Sequence, residues 1–290
     1  MISFIVCSVS KERSEALHQN LLSKIGDSFE FISIDNGVSP RSIASVYNDG
    51  ASKARGNVLC FVHEDVAFHS GGWGKTIEEK ALEENCGVIG FIGSWYKSKT
   101  YSGWSTDEKT DVGTFIQGGI HARKYERGNT KLDFEPCIVA DGFCLFVSKA
   151  KWAEHPFDEV LIKSFHVYDI DFCLTLADDG MKNYVCHCIL AEHFSMGGFG
   201  AEWIKATESL HLKWQDKLPM FVGKELTDDE IENLEERARY RFCKLILKSD
   251  YPIRNASRLI KQTYLEDKAP IVQLRLQMKL LYYRLLRLLT

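Results

Sequence analysis

The sequence has little proline, no basic excess and no uninterrupted apolar run of roughly 18 residues, and each lack excludes something. Without such a run, no segment is expected to span a bilayer as a simple hydrophobic helix. A net charge of -4 argues against a general nucleic-acid binder, for which a basic balance is expected. Only 6 Pro and 21 Gly in 290 residues leave room for long regular elements, and no low-complexity tract interrupts them. The 9 cysteines are irregularly spaced and odd in number, so they do not form a disulfide framework. Most lie in apolar runs such as Val58-Leu59-Cys60-Phe61-Val62, where Cys acts as a small buried hydrophobe. That usage points to a reducing compartment. Met1 to Ser10 lacks a basic start and runs straight into Lys11, Glu12 and Arg13, so it reads as a strand rather than a signal peptide. The expectation is a cytoplasmic, globular protein.

What is present is an alternation of strand and helix signals over the first 93 residues. Ile2 to Cys7 is a short apolar run, and Lys11 to Lys24 carries Leu17, Leu21 and Leu22 at helical spacing. Phe29 to Ile34 reads as a second strand. Ser39-Pro40 reads as a helix start, with a helix running toward Arg55 and stopping at Gly56. Val58 to Val62 is apolar throughout, as in a strand covered on both faces. Lys75 to Glu84 is another helix and Gly87 to Ile92 a fourth strand. Repeated βα units of this length predict an α/β, doubly wound, mostly parallel sheet.

Residues 94–135 break the pattern, with Trp95, Tyr96, Tyr101 and Trp104 among Gly, Ser, Thr and charges. They read as a long aromatic loop, either a functional lid or a variable surface insertion. Regularity returns with Ile138 to Val147, a helix from about Tyr168 to Asp179, a strand at Tyr184 to Ile189 and a helix near Gly200. Beyond Leu226 the chain is helical, opening on a capping box of Thr227 and Glu230.

In parallel α/β sheets ligands sit beyond the carboxyl ends of the strands. There the sequence offers Cys7-Ser8-Val9, Asp35-Asn36-Gly37 and His63-Glu64-Asp65-Val66. Carboxylates closing two successive strands suit a nucleotide, accepting from ribose or base and holding a divalent cation on a diphosphate. Turn formation alone also explains Asp35-Asn36-Gly37. No Gly-x-Gly-x-x-Gly follows the first strand, and Gly74-Lys75-Thr76 lacks the first glycine of a phosphate loop, its place being taken by His69. Cys186-His187-Cys188 has no second ligand pair at zinc spacing and fits strand alternation.

The order of Asp35-Asn36-Gly37, Tyr47-Asn48, Ala54-Arg55-Gly56-Asn57 and His63-Glu64-Asp65-Val66 resembles the nucleotide-binding half of family-2-like GT-A glycosyltransferases. It is most similar to a subgroup with a His-x-Asp-Val variant of the Asp-x-Asp motif. Tyr168-Asp169-Ile170-Asp171-Phe172 with Gly180 has the spacing of that family's Glu-Asp helix motif, and Ala191-Glu192-His193 stands where a metal-binding histidine is often found. The resemblance covers about residues 1–200, and with the helical, basic character beyond Leu226 the chain is expected to comprise a GT-A-type catalytic domain over residues 1–225 and a basic helical extension over 226–290. The resemblance implies that Ser8, Asp35 and Asn48 line the nucleotide pocket. It further implies that Asp65 and His193 bind Mn2+ or Mg2+ and that Asp141 touches donor sugar or acceptor. His63, standing for the first Asp, would hydrogen-bond phosphate or ribose. Asp169 would be the base that deprotonates the acceptor hydroxyl, giving inversion. The implied partners are a nucleotide-sugar donor, UDP foremost, and a glycan or glycolipid acceptor. A non-catalytic nucleotide-sugar binder and a nucleotidyltransferase are the rival readings. Tyr168 and His63 depart from the family pattern.

Other features stay open on the residues alone. His166 lines the acceptor side or is structural, and Gly197-Gly198-Phe199-Gly200 is a lid or a connector. Asp171 is expected to cap or form an ion pair. Residues 241–290 hold 11 Lys/Arg against 3 Asp/Glu, and Ile271, Leu274, Met278, Leu281, Leu285 and Leu288 make one apolar stripe. Such a stripe, over 271–289, packs on the body, pairs in a homo-oligomer or lies on the inner face of an anionic membrane.

Overall fold

The first apolar run forms β1 (Ile2–Ser8), buried along almost its whole length. A computed structural model of the chain describes residues 1–118, 122–195 and 197–261, together with 278 and 282. Ser10 caps α1 (Lys11–Lys24), accepting from the Arg13 amide, and the helix buries Leu17 and Leu21. After β2 (Phe29–Asp35), α2 (Ile43–Lys53) starts later than Ser39-Pro40 suggests. The Asn36 side chain bonds both the carbonyl and the amide of Arg41, closing a turn that leaves Ser42 as the cap. Then come β3 (Val58–His63), β4 (Val66–Phe68), α3 (Gly74–Ala81) and β5 (Cys86–Gly90).

Residues 94–135 are more regular than expected. They complete β6 (Ile92–Ser94) and hold β7 (Tyr96–Lys97), β8 (Asp111–Gln117) and β9 (Arg123–Arg127), and β10 (Phe134–Cys137) begins inside them. These strands are short and separated by turns, so no period is sustained long enough to read. The run Ile138–Val147 is likewise two pieces, β11 (Val139–Ala140) and β12 (Cys144–Ser148), parted at Asp141-Gly142-Phe143. There follow α4 (Lys149–Glu154), α5 (Tyr168–Asp178), β13 (Lys182–Cys186), β14 (Ala191–His193), α6 (Ala201–Trp214), β15 (Met220–Phe221), α7 (Asp228–Lys248) and α8 (Ile253–Ile260).

The central sheet has the order β10-β13-β5-β12-β3-β1-β2. β1 pairs parallel with both β2 and β3, while β12 lies antiparallel between β3 and β5. Thus the α/β fold has a parallel half, where the candidate site lies, and a mixed half. Helix α1 packs with one face of the sheet and α2 with the other, forming the two large apolar clusters. A second sheet, β11-β6-β8-β14-β4 with β9 on β8, stands beyond the first and brings His193 back beside Val66.

Helix α7 has the expected capping box. Its face of Phe242, Cys243, Ile246 and Leu247 packs with Trp203 and Ile204 of α6 and with Leu259 and Ile260 of α8. Burying side chains such as Phe242 and Ile246 contributes ~1.5–3 kcal/mol each. Glu235 on the same helix is fully buried and accepts from Tyr96, Ser98, Lys99 and Thr100. Packing on the body is therefore what α7 does. The apolar stripe at 271–289 lies outside the described residues, apart from 278 and 282. Among the described residues no helix is long and apolar enough to cross a membrane.

Candidate active site

The strand order β3-β1-β2 means that the chain reverses its travel across the sheet at β1, which opens a crevice at the carboxyl ends of these strands. β3 ends at His63, and period-two alternation sends His63 and Asp65 to one side and Glu64 to the other. Glu64 is buried and accepts from the Ser8 hydroxyl at 2.7 Å and from the amides of Val9 and Ser10 at 3.0 and 2.9 Å. It thereby ties the turn after β1 to the end of β3, with Arg13 approaching its second oxygen at 3.7 Å.

On the other side, His63, Asp65 and His193 present ligand atoms that all lie within 4.8 Å of one another. His63 Nδ1 is 3.4 Å from His193 Nε2, which is 3.5 Å from Asp65 Oδ1 and 3.1 Å from the Ser195 hydroxyl. The pairing of β4 with β14 sets His193 opposite Val66, one residue from Asp65. Phe143 stacks on the His193 ring at 5.0 Å, and Gln117 donates to the His193 carbonyl. Burial, then the neighbouring His193, pushes His63 down to about 4 against the pull of Asp141, Asp65 and Glu64, so its imidazole is neutral at pH 7. For Asp65 burial works upward, but the hydrogen bond and charge of His193 outweigh it and hold the carboxyl well below its usual range.

Asp141-Gly142-Phe143 and the first turn of α5 close the crevice. Val167, before α5, has φ 60°, in the left-handed region where a β-branched residue is strained by ~1–3 kcal/mol. This turn delivers Tyr168 and Asp169 against Gly142. The Gly142 amide donates to Asp169 Oδ2 at 2.9 Å, and its carbonyl accepts from the Tyr168 hydroxyl at 2.7 Å. Burial first, then the charge of Asp141, pushes the Asp169 carboxyl up to about 7, against the backbone amides that favour its ionised form. A carboxyl so poised suits a general base near neutrality.

The other predicted residues are distributed unevenly. Asp35 is exposed at the end of β2, in register with Ser8, and its Oδ1 accepts from the Gly37 amide at 2.8 Å, so turn formation engages only one of its oxygens. Ser8 is buried with its hydroxyl committed to Glu64. Asn48 is a correction: its side chain faces the segment after α4, not the crevice. There its amide group bonds the Phe157 carbonyl and Glu159, while its oxygen accepts from Trp152 Nε1 and the Phe157 amide. Those four bonds use its full capacity in holding two elements together. Asp171 forms the expected ion pair, with Lys213 at 2.9 Å and a bond from Trp214 Nε1 at 2.8 Å. Sequence reasoning missed Glu64 and Gly142. Alternation after an apolar strand signals the first, and nothing short of the fold signals the second.

The sequence model described as "Glycosyltransferase like family" matches residues 3–196, from the first strand through the one that carries His193. The chain belongs to this glycosyltransferase-like family. No curated protein matches it. Among solved structures it is similar to GalNAc-T7, crystallised with UDP, GalNAc and Mn2+, at a TM-score of 0.53 and 9% identity, over 75% of this chain and 48% of that one. The glycosyltransferase-like chain thus spans about half the length of that neighbour. Weaker likenesses are to S. aureus TarS 1–349 in complex with UDP-GlcNAc (TM-score 0.45, 11% identity, 90% of this chain and 71% of that one) and to A197 from STIV (TM-score 0.41, 13% identity, 78% and 96%). The fold is that of the GT-A glycosyltransferases.

Proposed function

We propose that the protein transfers a sugar from a UDP-sugar donor to a hydroxyl of a glycan or glycolipid acceptor, with a divalent metal on the donor diphosphate and inversion at the anomeric carbon. The observation that carries this reading is one crevice holding both the His63, Asp65 and His193 cluster and a carboxyl, Asp169, poised near neutrality. UDP is chosen because the GalNAc-T7 neighbour binds it and because family-2-like enzymes favour it.

The cluster fits a divalent cation. Neighbouring ligands of an ion with bonds of ~2.2 Å sit ~3 Å apart, close to the 3.4 and 3.5 Å separations found here. Two imidazoles beside one carboxylate favour Mn2+ over Mg2+, which prefers oxygen ligands throughout. When bound, the metal supplies positive charge to the departing diphosphate. Asp169 takes the acceptor proton as the hydroxyl attacks, held in line by the Gly142 amide. Asp141 touches donor sugar or acceptor, and Asp35 with the turn built by Glu64 and Ser8 receives the nucleoside. The catalytic unit is residues 1–225, with 226–290 attached through α7. A lipid-linked acceptor at the cytoplasmic membrane face would meet the cations of 271–289.

Replacing Asp169 by Asn tests the reading. Transfer should fall by about a thousandfold while UDP binding persists. Transfer that continues at the wild-type rate would remove Asp169 from the mechanism.

A further inference from the structure

The two residues that depart from the family pattern, His63 and Tyr168, touch each other. His63 Nε2 lies 2.9 Å from the Tyr168 hydroxyl, which lies 2.7 Å from the Gly142 carbonyl oxygen. A phenol has one proton and a carbonyl oxygen can only accept, so the Tyr168 proton goes to Gly142. The contact with His63 must therefore run from Nε2–H to the phenol oxygen. A neutral ring with its proton on Nε2 has its lone pair on Nδ1, and Nδ1 is the atom that faces His193 Nε2 at 3.4 Å.

The phenol is fixed in place, and the Tyr47 hydroxyl beside it, with no other partner among the described residues, can donate to its oxygen without displacing the bond to Gly142. The Tyr168 ring is buried between Tyr47 and Phe157, with centroids 5.6 and 5.9 Å away. A Cβ on residue 142 would fall 2.4 Å from the hydroxyl, so glycine is what lets it approach the carbonyl. A glutamate at position 168 would also accept from Nε2–H, but would add a charge beside Asp141 and Asp169. Tyrosine is an acceptor without that charge.

We propose that Tyr168 is a positioning residue that fixes His63 as its Nε2–H tautomer, so that Nδ1 becomes a metal ligand in place of the family's missing first aspartate. The two departures are then one compensated change. The ligand half of this inference rests on the metal-dependent reading above, and the tautomer half does not.

The test uses the full chain. In the metal-free protein, 15N spectra of the histidine ring, assigned by comparison with His63→Gln, should show His63 as the Nε2–H tautomer. Tyr168→Phe, which keeps the ring, should lose that preference. Free Mn2+ counted by EPR should show Tyr168→Phe weakening Mn2+ affinity 10- to 100-fold, the range for loss of a partner behind a metal ligand. In a His63→Asp background, where no imidazole needs orienting, the same change should alter affinity less than twofold. A wild-type His63 in the Nδ1–H form overturns the proposal. So does an equal loss of Mn2+ affinity in both backgrounds. A wild-type chain that binds no Mn2+ yet shows the expected tautomer overturns the metal reading and the ligand role, and leaves Tyr168 fixing the ring.

Discussion

Gly142 holds Asp169 with its amide, at 2.9 Å, and leaves no room for a side chain of its own. A Cβ there would meet Tyr168 at 2.4 Å and Asp169 Cβ at 2.9 Å. The strand cannot retreat, because β12 begins two residues later and Phe143 between them is stacked on His193. Gly142→Ala should therefore push the first turn of α5 outward, costing ~1–3 kcal/mol of stability as an overpacked core does. Turnover should fall about a hundredfold, since a small misplacement of a base is costly. Urea unfolding and kcat measured on one preparation check both, and an unchanged kcat would disconnect Gly142 from the base.

Asp169 also sets a pH dependence. The base acts when deprotonated, so the logarithm of the rate should rise below pH 7 and level off above it, given a carboxyl at about 7. Asp141→Asn removes the like charge and should move that break to lower pH. Stability runs the other way. The folded chain holds this proton more tightly than the unfolded chain, whose Asp titrates near ~3.9, so the stability it lends is full below pH 4 and is lost as pH climbs through 7. The melting temperature of Asp169→Asn, relative to the wild type, should accordingly gain several degrees between pH 4 and pH 8. A constant difference across that range would mean that Asp169 titrates normally.

How much of this was legible follows the physics of each residue. Val58 to Val62 announced β3 because a strand buried on both faces must be apolar throughout, and His63 and Asp65 after it mark where such a strand leaves the core. Short strands such as β6 and β11 pair through their backbones at Gly93, Ser94 and Val139, which leaves no periodicity to read. Asn48 misled because α2 has two polar directions, toward the crevice and toward the Phe157 segment, and only tertiary packing chooses between them. Tyr168 looked like a loss of charge beside the base. Its value depends on a carbonyl 26 residues away, and no local pattern carries that.

Glu235 yields a prediction about stability alone. Its carboxylate, buried in the groove between α7 and residues 96–100, accepts from the Tyr96 hydroxyl at 2.7 Å and the Ser98 hydroxyl at 2.8 Å. It also accepts from the Lys99 amide at 3.0 Å, the Thr100 amide at 3.1 Å and the Thr100 hydroxyl at 2.9 Å. Truncation to Ala strands four of these donors, the Thr100 amide keeping the Ser98 hydroxyl at 2.8 Å, and should cost ~3–5 kcal/mol. Glu235→Gln keeps one oxygen and should cost about half as much. Urea midpoints of the three proteins give the order wild type, Gln, Ala. If Ala is as stable as the wild type, α7 is not anchored through this carboxylate.

The donor site makes the last prediction, through linkage. A ligand that binds only the folded chain raises its stability by ~2.7 kcal/mol at a hundred times its dissociation constant. For a chain of this size that is a rise of roughly 5 °C or more in melting temperature. UDP with Mn2+ should produce such a rise, and UDP alone a much smaller one, because Asp35, Glu64, Asp65, Asp141 and Asp169 around the crevice repel an uncompensated diphosphate. Asp65→Ala removes the cluster's one carboxylate and should abolish the Mn2+-dependent part, measured from its own baseline. A panel of nucleoside diphosphates then names the base. Equal shifts for all of them would show that the crevice binds diphosphate and metal without reading the nucleoside, and Asp35 would lose its role.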